Sequence, residues 1–248
     1  VLAIRLDNPE KSSRWYPGGG IYRNVWLVKT GPIHVAHWGV RVTTPEVTPE
    51  VATANVQVTV DNMTASDQRV DVSVTVYELD ANGHRVGGPV GEDMPSLLEI
   101  GPKSAATIDL PVKIRSPQLW SPEGPTPYAA QVTVIAGDAI VDRIVDNFGI
   151  RTIKFTPDTG FELNGKPLKI QGVCLHHDLG ALGAAFNLRA RERQLEKLKE
   201  LGCNAIRASH NPLEPELYDL CDRMGFLGMD EAIDAWQMAK RDNDYHVL

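Results

Sequence analysis

The sequence is poor in the features that make most functional classes easy to recognise. It carries three cysteines in 248 residues, Cys174, Cys203 and Cys221. An odd count, with two in predicted strands and one on the apolar face of a predicted helix, argues against a disulfide framework. We expect small buried hydrophobes rather than a catalytic thiol. No run is long and apolar enough to span a membrane. The net charge is −7, with no basic stripe, so nucleic acid is not an expected partner. The chain opens not on a methionine but on Val1-Leu2-Ala3-Ile4-Arg5-Leu6, which reads as a strand rather than a signal peptide, and is expected to begin inside something longer. The compartment is therefore open between periplasmic or secreted and cytoplasmic. The triple glycine Gly18-Gly19-Gly20 lacks the lysine and the Ser/Thr that would make it a phosphate loop, and marks a turn or a close backbone approach instead.

An apolar fraction of 42% is enough for real cores. Residues 1–30 hold a strand, the glycine-rich turn and a second strand, Ile21 to Val28, too little to bury a core alone. Residues 31–149 have another texture. Val56, Val58 and Val60 alternate with polar residues, as do Val70, Val72, Val74 and Val76, then Ile108, Leu110 and Val112, then Val132 and Val134. Period two means half-buried strands. Turn signals punctuate them at Asp61-Asn62, Asn82-Gly83, Gly87-Gly88, Gly101-Pro102 and Ser116 to Pro127. Some seven short antiparallel strands in about 120 residues predict an immunoglobulin-like sandwich without its cysteine pair. It shows no ionisable constellation, so a spacer and packing module is expected ahead of a ligand-binding one.

From residue 150 a hairpin with an Asn164-Gly165 turn of type I′ precedes three strand-then-helix units. The strands are predicted at 168–174, 203–207 and 226–229. Asn187 is the expected N-cap of a helix with Leu188, Leu195, Leu198 and Leu201 on its apolar stripe and Gly202 past its end. A second helix is expected from near Pro212 to Gly225, burying Leu217, Leu220, Cys221 and Met224. Each strand ends in chemistry: His176-His177-Asp178, then Ser209-His210-Asn211, then Asp230-Glu231. Parallel βα architectures place their sites at those ends. A metal cluster of His176, His177, Asp178 and His210 matches no ligand spacing, and no cofactor or metal is expected. Neighbours on a strand point to opposite sides, so His176 and His177 do not both face one pocket, and Asp230 and Glu231 are a poor acid and nucleophile pair.

These landmarks, in order, resemble glycoside hydrolase family 2. Ser13-Arg14-Trp15-Tyr16-Pro17-Gly18 with Gly20-Ile21-Tyr22-Arg23-Asn24-Val25-Trp26-Leu27 is similar to the end of that family's sugar-binding jelly roll. Leu119-Trp120-Ser121-Pro122-Glu123 with Pro127-Tyr128 is similar to the late part of its immunoglobulin-like domain. Phe148-Gly149-Ile150-Arg151, Asn164-Gly165-Lys166-Pro167, Gly172 to Asp178, Asn204-Ala205-Ile206-Arg207, Ser209-His210-Asn211-Pro212 and Asp230-Glu231-Ala232 resemble landmarks of its catalytic barrel. The resemblance implies a multi-domain β plus α/β chain: a jelly-roll tail at 1–30, a sandwich at 31–149, and the first βα units of a (β/α)8 TIM barrel at 150–248. Cys174 stands where the family commonly has asparagine, and Leu175 where it often has arginine.

By the same resemblance the activity is that of a retaining β-glycosidase, β-galactosidase-like, with a β-linked carbohydrate as substrate and β-glucuronidase and β-mannosidase as rivals. His176 and His210 would contact sugar hydroxyls. Arg207 would be the barrel-floor arginine that orients the nucleophile, with a buried structural pair as the equal alternative. Asn211 is a substrate-binding candidate that could equally begin the helix, and Asp230 is a subsite or supporting residue, with Glu231 supporting. Retaining glycosidases need two carboxyl groups about 5 Å apart. The family's acid/base glutamate follows an asparagine, and this sequence contains no Asn-Glu dipeptide. No catalytic residue is therefore named here: the acid/base and the nucleophile are expected beyond Leu248. The chain is expected to resemble an internal fragment that is inactive alone, and residues 233–236, Ile-Asp-Ala-Trp, lack the family's magnesium-ligand pattern. A second class stays open: a binding or interaction module that holds a glycan without cleaving it. A three-stranded part of a barrel leaves an unpaired edge and an apolar interior, so it is expected to be poorly ordered alone or covered by a second copy in a homo-oligomer.

Overall fold

The computed structural model describes residues 1–7, 10, 20–232, 237–240 and 242. The Ser13 to Gly18 motif, residues 233–236 and Leu248, past which the two catalytic carboxyl groups are expected, lie outside them. The chain divides into two compact units, one of residues 27–169 with 222–225, the other of residues 1–26, 170–221 and 226–248.

The first unit is the sandwich. Its strands are β1 (Ile33–Val47), β2 (Val51–Asn62), β3 (Gln68–Glu78), β4 (Gly91–Glu92), β5 (Ser96–Ile100), β6 (Ser104–Arg115), β7 (Pro127–Ala136) and β8 (Ala139–Gly149). One sheet runs β1-β2-β6 and the other β4-β3-β7-β8, with β5 also pairing β3, all antiparallel. The alternating valines behave as their period demands: Val56, Val58, Val60, Val70, Val72, Val74, Val76, Val132 and Val134 are all buried in one core. Ile108 is only partly buried, while Leu110, Val112 and Ile114 further along β6 are fully so. Period two cannot tell a strand's buried end from its fraying one.

Asp61-Asn62 does not turn. Asn62 closes β2 as a buried amide whose Nδ2 donates to the Ser66, Ile100 and Gly101 carbonyls, while its Oδ1 accepts from the Thr64 backbone N–H. With its donors and its acceptor satisfied, the side chain can sit in the core at no desolvation loss. A small sheet of β9 (Ile153–Thr156), β10 (Gly160–Leu163) and β11 (Lys166–Pro167) follows. Asn164 and Gly165 both have positive φ, 51° and 72°, as a type I′ turn requires.

The second unit is a parallel sheet of β12 (Gly172–Leu175), β13 (Ala205–Ala208) and β14 (Leu227–Met229), with β13 central. The helices between are α1 (Leu188–Glu200) and α2 (Pro215–Met224). Strand, helix, strand, helix, strand is the βα pattern the sequence predicts. The largest differences are at three starts. The first strand begins at Gly172 rather than 168. The second begins at Ala205 rather than 203. The second helix begins at Pro215, not near Pro212, and proline suits that first position because the backbone N–H it lacks is one no helix would use. Asn187 caps α1 by accepting from the Ala190 backbone N–H, and Gly202 at φ 83° and Gly225 at φ 73° end the two helices.

The apolar stripe of α1 is narrower than its leucines suggest. Leu195 is buried, but Leu188 and Leu201 are exposed, and Arg191 occupies the buried place between. Nor do the strands expected at Val1–Leu6 and Ile21–Val28 form. Residues 1–7 and 20–30 have no regular structure, since a strand needs a partner and none pairs with them among the described residues. No helix of the described residues is long and apolar enough to cross a membrane.

Candidate active-site face

The C-terminal ends of β12, β13 and β14 collect the ionisable side chains. Cys174, Arg207 and Met229 share one row of the parallel register, alternating along each strand with buried Leu175, Ile206 and Ala208. Cys174 is thereby exposed, Cys203 half-buried and only Cys221 buried. The expectation of three buried thiols fails at Cys174 because its row lies on the open side of the sheet. Arg207 donates to the Cys174 Sγ at 3.2 Å and the Ser209 hydroxyl lies 3.4 Å from the same guanidinium nitrogen. Hydrogen bonds from Arg207 and Ser209 hold the thiol below its ordinary pKa.

The residues named from the sequence fall into three groups. Arg207, His210 and His176 are brought together. Glu231 receives an ion pair from Arg207 through Oε1, and its Oε2 lies 3.0 Å from the His210 Nδ1. The His176 ring stands edge-on to His210, centroids 5.3 Å apart. Asn211 goes elsewhere: its Oδ1 is 2.7 Å from the Nε2 of His177, which itself stands edge-on to Tyr22. The two histidines thus part company as neighbours in an extended segment should. Asp230 turns away from Glu231 and accepts a 2.7 Å hydrogen bond from the Tyr218 hydroxyl on α2. Burial, reinforced by Asp230, pushes that phenol well above its ordinary pKa, so it stays a donor. The peptide bond between Ser209 and His210 is cis.

Beneath these ends lies a buried ion pair. Arg191 and Glu214 are each 2% exposed and hydrogen-bonded to one another. Arg191 also donates to the His176 carbonyl at 3.1 Å, the Asp178 carbonyl at 3.4 Å and the Gln194 side chain at 2.9 Å. A guanidinium's fixed fork suits this, because it clamps the loop after β12 that presents His176 and His177. The Glu214 Oε2 is 3.9 Å from the His177 Nδ1. Burial nonetheless dominates and lowers the His177 pKa, against the raising effects of Asn211 and Glu214.

Sequence reasoning missed Tyr218 and the Arg191–Glu214 pair. The pair left one signal, a charge on the apolar stripe of α1; Tyr218 left none. No group of three or more His, Cys, Asp or Glu side chains among the described residues could hold a metal ion.

A carboxylate, an arginine and imidazoles at strand ends form an array of fixed donors and acceptors suited to a polyhydroxylated ligand. Within it Asp230 is turned to the Tyr218 hydroxyl, whereas Glu231 faces Arg207 and His210.

Residues 34–151 match the family model for glycosyl hydrolases family 2, and residues 155–246 the model for the TIM barrel domain of that family. The chain is 48% identical to a β-galactosidase of Bacteroides ovatus over 247 residues, 99% of this chain and 28% of that protein. It is 34% identical to a putative β-glucuronidase of Formosa agariphila, covering 99% of this chain and 22% of that one. It also resembles the crystal structure of a glycosyl hydrolase family 2 member from Bacteroides cellulosilyticus, with a TM-score of 0.86 and 38% identity over 94% of this chain and 29% of that one. The chain therefore spans less than a third of the length of each.

Proposed function

Because the chain belongs to glycosyl hydrolases family 2, we propose that it supplies one side of the sugar subsite of a retaining β-glycosidase that is β-galactosidase-like. The observation that carries this reading is the gathering of Arg207, His210 and Glu231, with His176 beside them, at the C-terminal ends of adjacent parallel strands. The name of the Bacteroides ovatus relative, a β-galactosidase, favours galactosides over glucuronides.

In this reading His210 and His176 bind sugar hydroxyls, and Arg207 presents positive charge toward the reacting centre. Asn211 and Asp230 lie at the margin of the subsite, each already paired, to His177 and to Tyr218. The domain division follows the resemblance: a jelly-roll tail to about residue 30, a sandwich to 149 that spaces and packs, and barrel units from 150. The acid and the nucleophile come from residues beyond Leu248. Two facts support placing them there: the sequence to that point has no Asn-Glu pair, and it spans 28% of the Bacteroides ovatus relative.

Hydrolysis of an aryl β-galactoside tests this. The chain of residues 1–248 should give no turnover, while a chain as long as the Bacteroides ovatus relative should turn over and lose that activity with His210→Ala. Turnover by the shorter chain that vanishes with His210→Ala would mean that carboxylates within these residues do the chemistry.

A further inference from the structure

We infer that Glu231 is a positioning residue: one carboxylate fixes the tautomer and orientation of His210 and, through its other oxygen, the direction of Arg207. The proposal deepens the sugar-subsite reading and takes its purpose from it, but its geometry stands on its own.

A carboxylate oxygen only accepts hydrogen bonds, so at 3.0 Å from Glu231 Oε2 the His210 Nδ1 must carry a proton and donate it. In the neutral ring this makes Nε2 the acceptor. A histidine without such a partner populates both tautomers and spends part of its time with the wrong edge toward a ligand. Glu231 Oε1 meanwhile holds the Arg207 guanidinium. Its Nη1 then reaches Cys174 and Ser209, so the arginine is tied at both ends.

The backbone makes Glu231 the residue that can do this. It follows β14, the neighbour of the central strand β13 that carries Arg207 and leads to His210. Asp230 points instead to Tyr218, so it does not duplicate the role. Glu231 is half-buried, its side chain 18% exposed, which keeps competing water scarce. The expected ligand consequence is specific. A ring with the proton fixed on Nδ1 accepts from a sugar hydroxyl through Nε2, and the hydroxyl's own oxygen remains able to accept from a second donor.

The test uses the 248-residue chain labelled with nitrogen-15. The ring nitrogens of His210 are assigned by their disappearance in His210→Asn. In the parent chain, at a pH where the ring is neutral, His210 should show a protonated Nδ1 and an unprotonated Nε2. Glu231→Gln keeps the shape and removes the charge; the fixed pattern should be lost to tautomer averaging while the His176 signals and the far-ultraviolet spectrum are retained. Glu231→Asp, which keeps the charge, should retain the pattern and covers the case in which Glu231→Gln folds poorly. A His210 pattern unchanged in Glu231→Gln, or a parent ring protonated on Nε2, overturns the proposal.

Titration with methyl β-galactoside forms the second arm and uses as parent a chain as long as the Bacteroides ovatus relative, in which the subsite has both its sides. If the parent binds, Glu231→Gln should weaken binding about tenfold, the weight of one hydrogen bond to a charged group. If the parent does not bind, the sugar-subsite reading fails while the nitrogen spectra still decide the positioning role.

Discussion

Replacing Glu214 by Gln removes the charge opposite Arg191 with almost no change of shape. The two side chains are 2% and 3% exposed, so water cannot take the place of the lost carboxylate. Breaking a buried pair from one side leaves an uncompensated charge and costs roughly 3–5 kcal/mol, a shift of more than a hundredfold in the folding equilibrium at about 1.4 kcal/mol per decade. Arg191 would still reach the His176 and Asp178 carbonyls, which places the expected loss near the lower end, about 3 kcal/mol. The double change Glu214→Leu with Arg191→Met should cost less than Glu214→Gln, because no charge is stranded. What remains is the loss of the two carbonyl contacts, about 1–2 kcal/mol. Hydrogen exchange in graded urea, read peptide by peptide, measures both. Peptides of α1, α2 and β13 should lose protection. Those of β2 and β6 should not, because the sandwich core is built from residues 33–150 alone. A loss under about 1 kcal/mol for Glu214→Gln, or equal losses in β2 and β6, would refute the view of this pair as a clamp local to the βα unit.

Gly172→Ala should abolish the pairing of β12 with β13. The new Cβ would sit 2.2 Å from the Ala205 carbonyl oxygen, a backbone atom of the central strand that has nowhere to move. We expect a loss of at least about 2 kcal/mol in the βα unit, seen in its chemical shifts and urea midpoint. Acidification provides a separate check. Burial depresses the His177 pKa in the folded state below its ordinary value of 6.5, so between the two values the unfolded chain binds more protons. The stability of the βα unit should therefore fall as pH drops from above 6.5 toward the folded value and level off below it. His177→Gln should flatten that slope, and an unchanged slope would exclude His177 as its source.

Much of the fold was legible because it obeys local rules. The sandwich valines alternate because a pleated strand turns every second side chain inward. The Asn187 cap, Gly202, Gly225 and the Asn164-Gly165 turn were readable because each fills a backbone requirement that few residues meet. Local rules failed where a partner was needed. Val1–Leu6 and Ile21–Val28 have strand-like composition, yet no strand pairs with them among the described residues. Asn62, which composition assigns to a turn, ends a strand because the Ile100 and Gly101 carbonyls, distant from it in the chain, accept its amide along with that of Ser66. Arg191 breaks an apolar stripe that Leu188 and Leu201 would otherwise complete, because Glu214, in the segment before α2, is folded against it.

By itself the sequence determined which residues stand at strand ends: His176, Arg207, His210, Asn211, Asp230 and Glu231 are placed there by strand and helix periodicity, and the family by the order of its motifs. The tertiary structure decided who faces whom. Glu231 meets His210 and Arg207, Asp230 meets Tyr218, and Asn211 meets His177. Those partnerships depend on strand register, in which a slip of one residue would turn every side chain to the other face, and register is fixed only when β12, β13 and β14 pair.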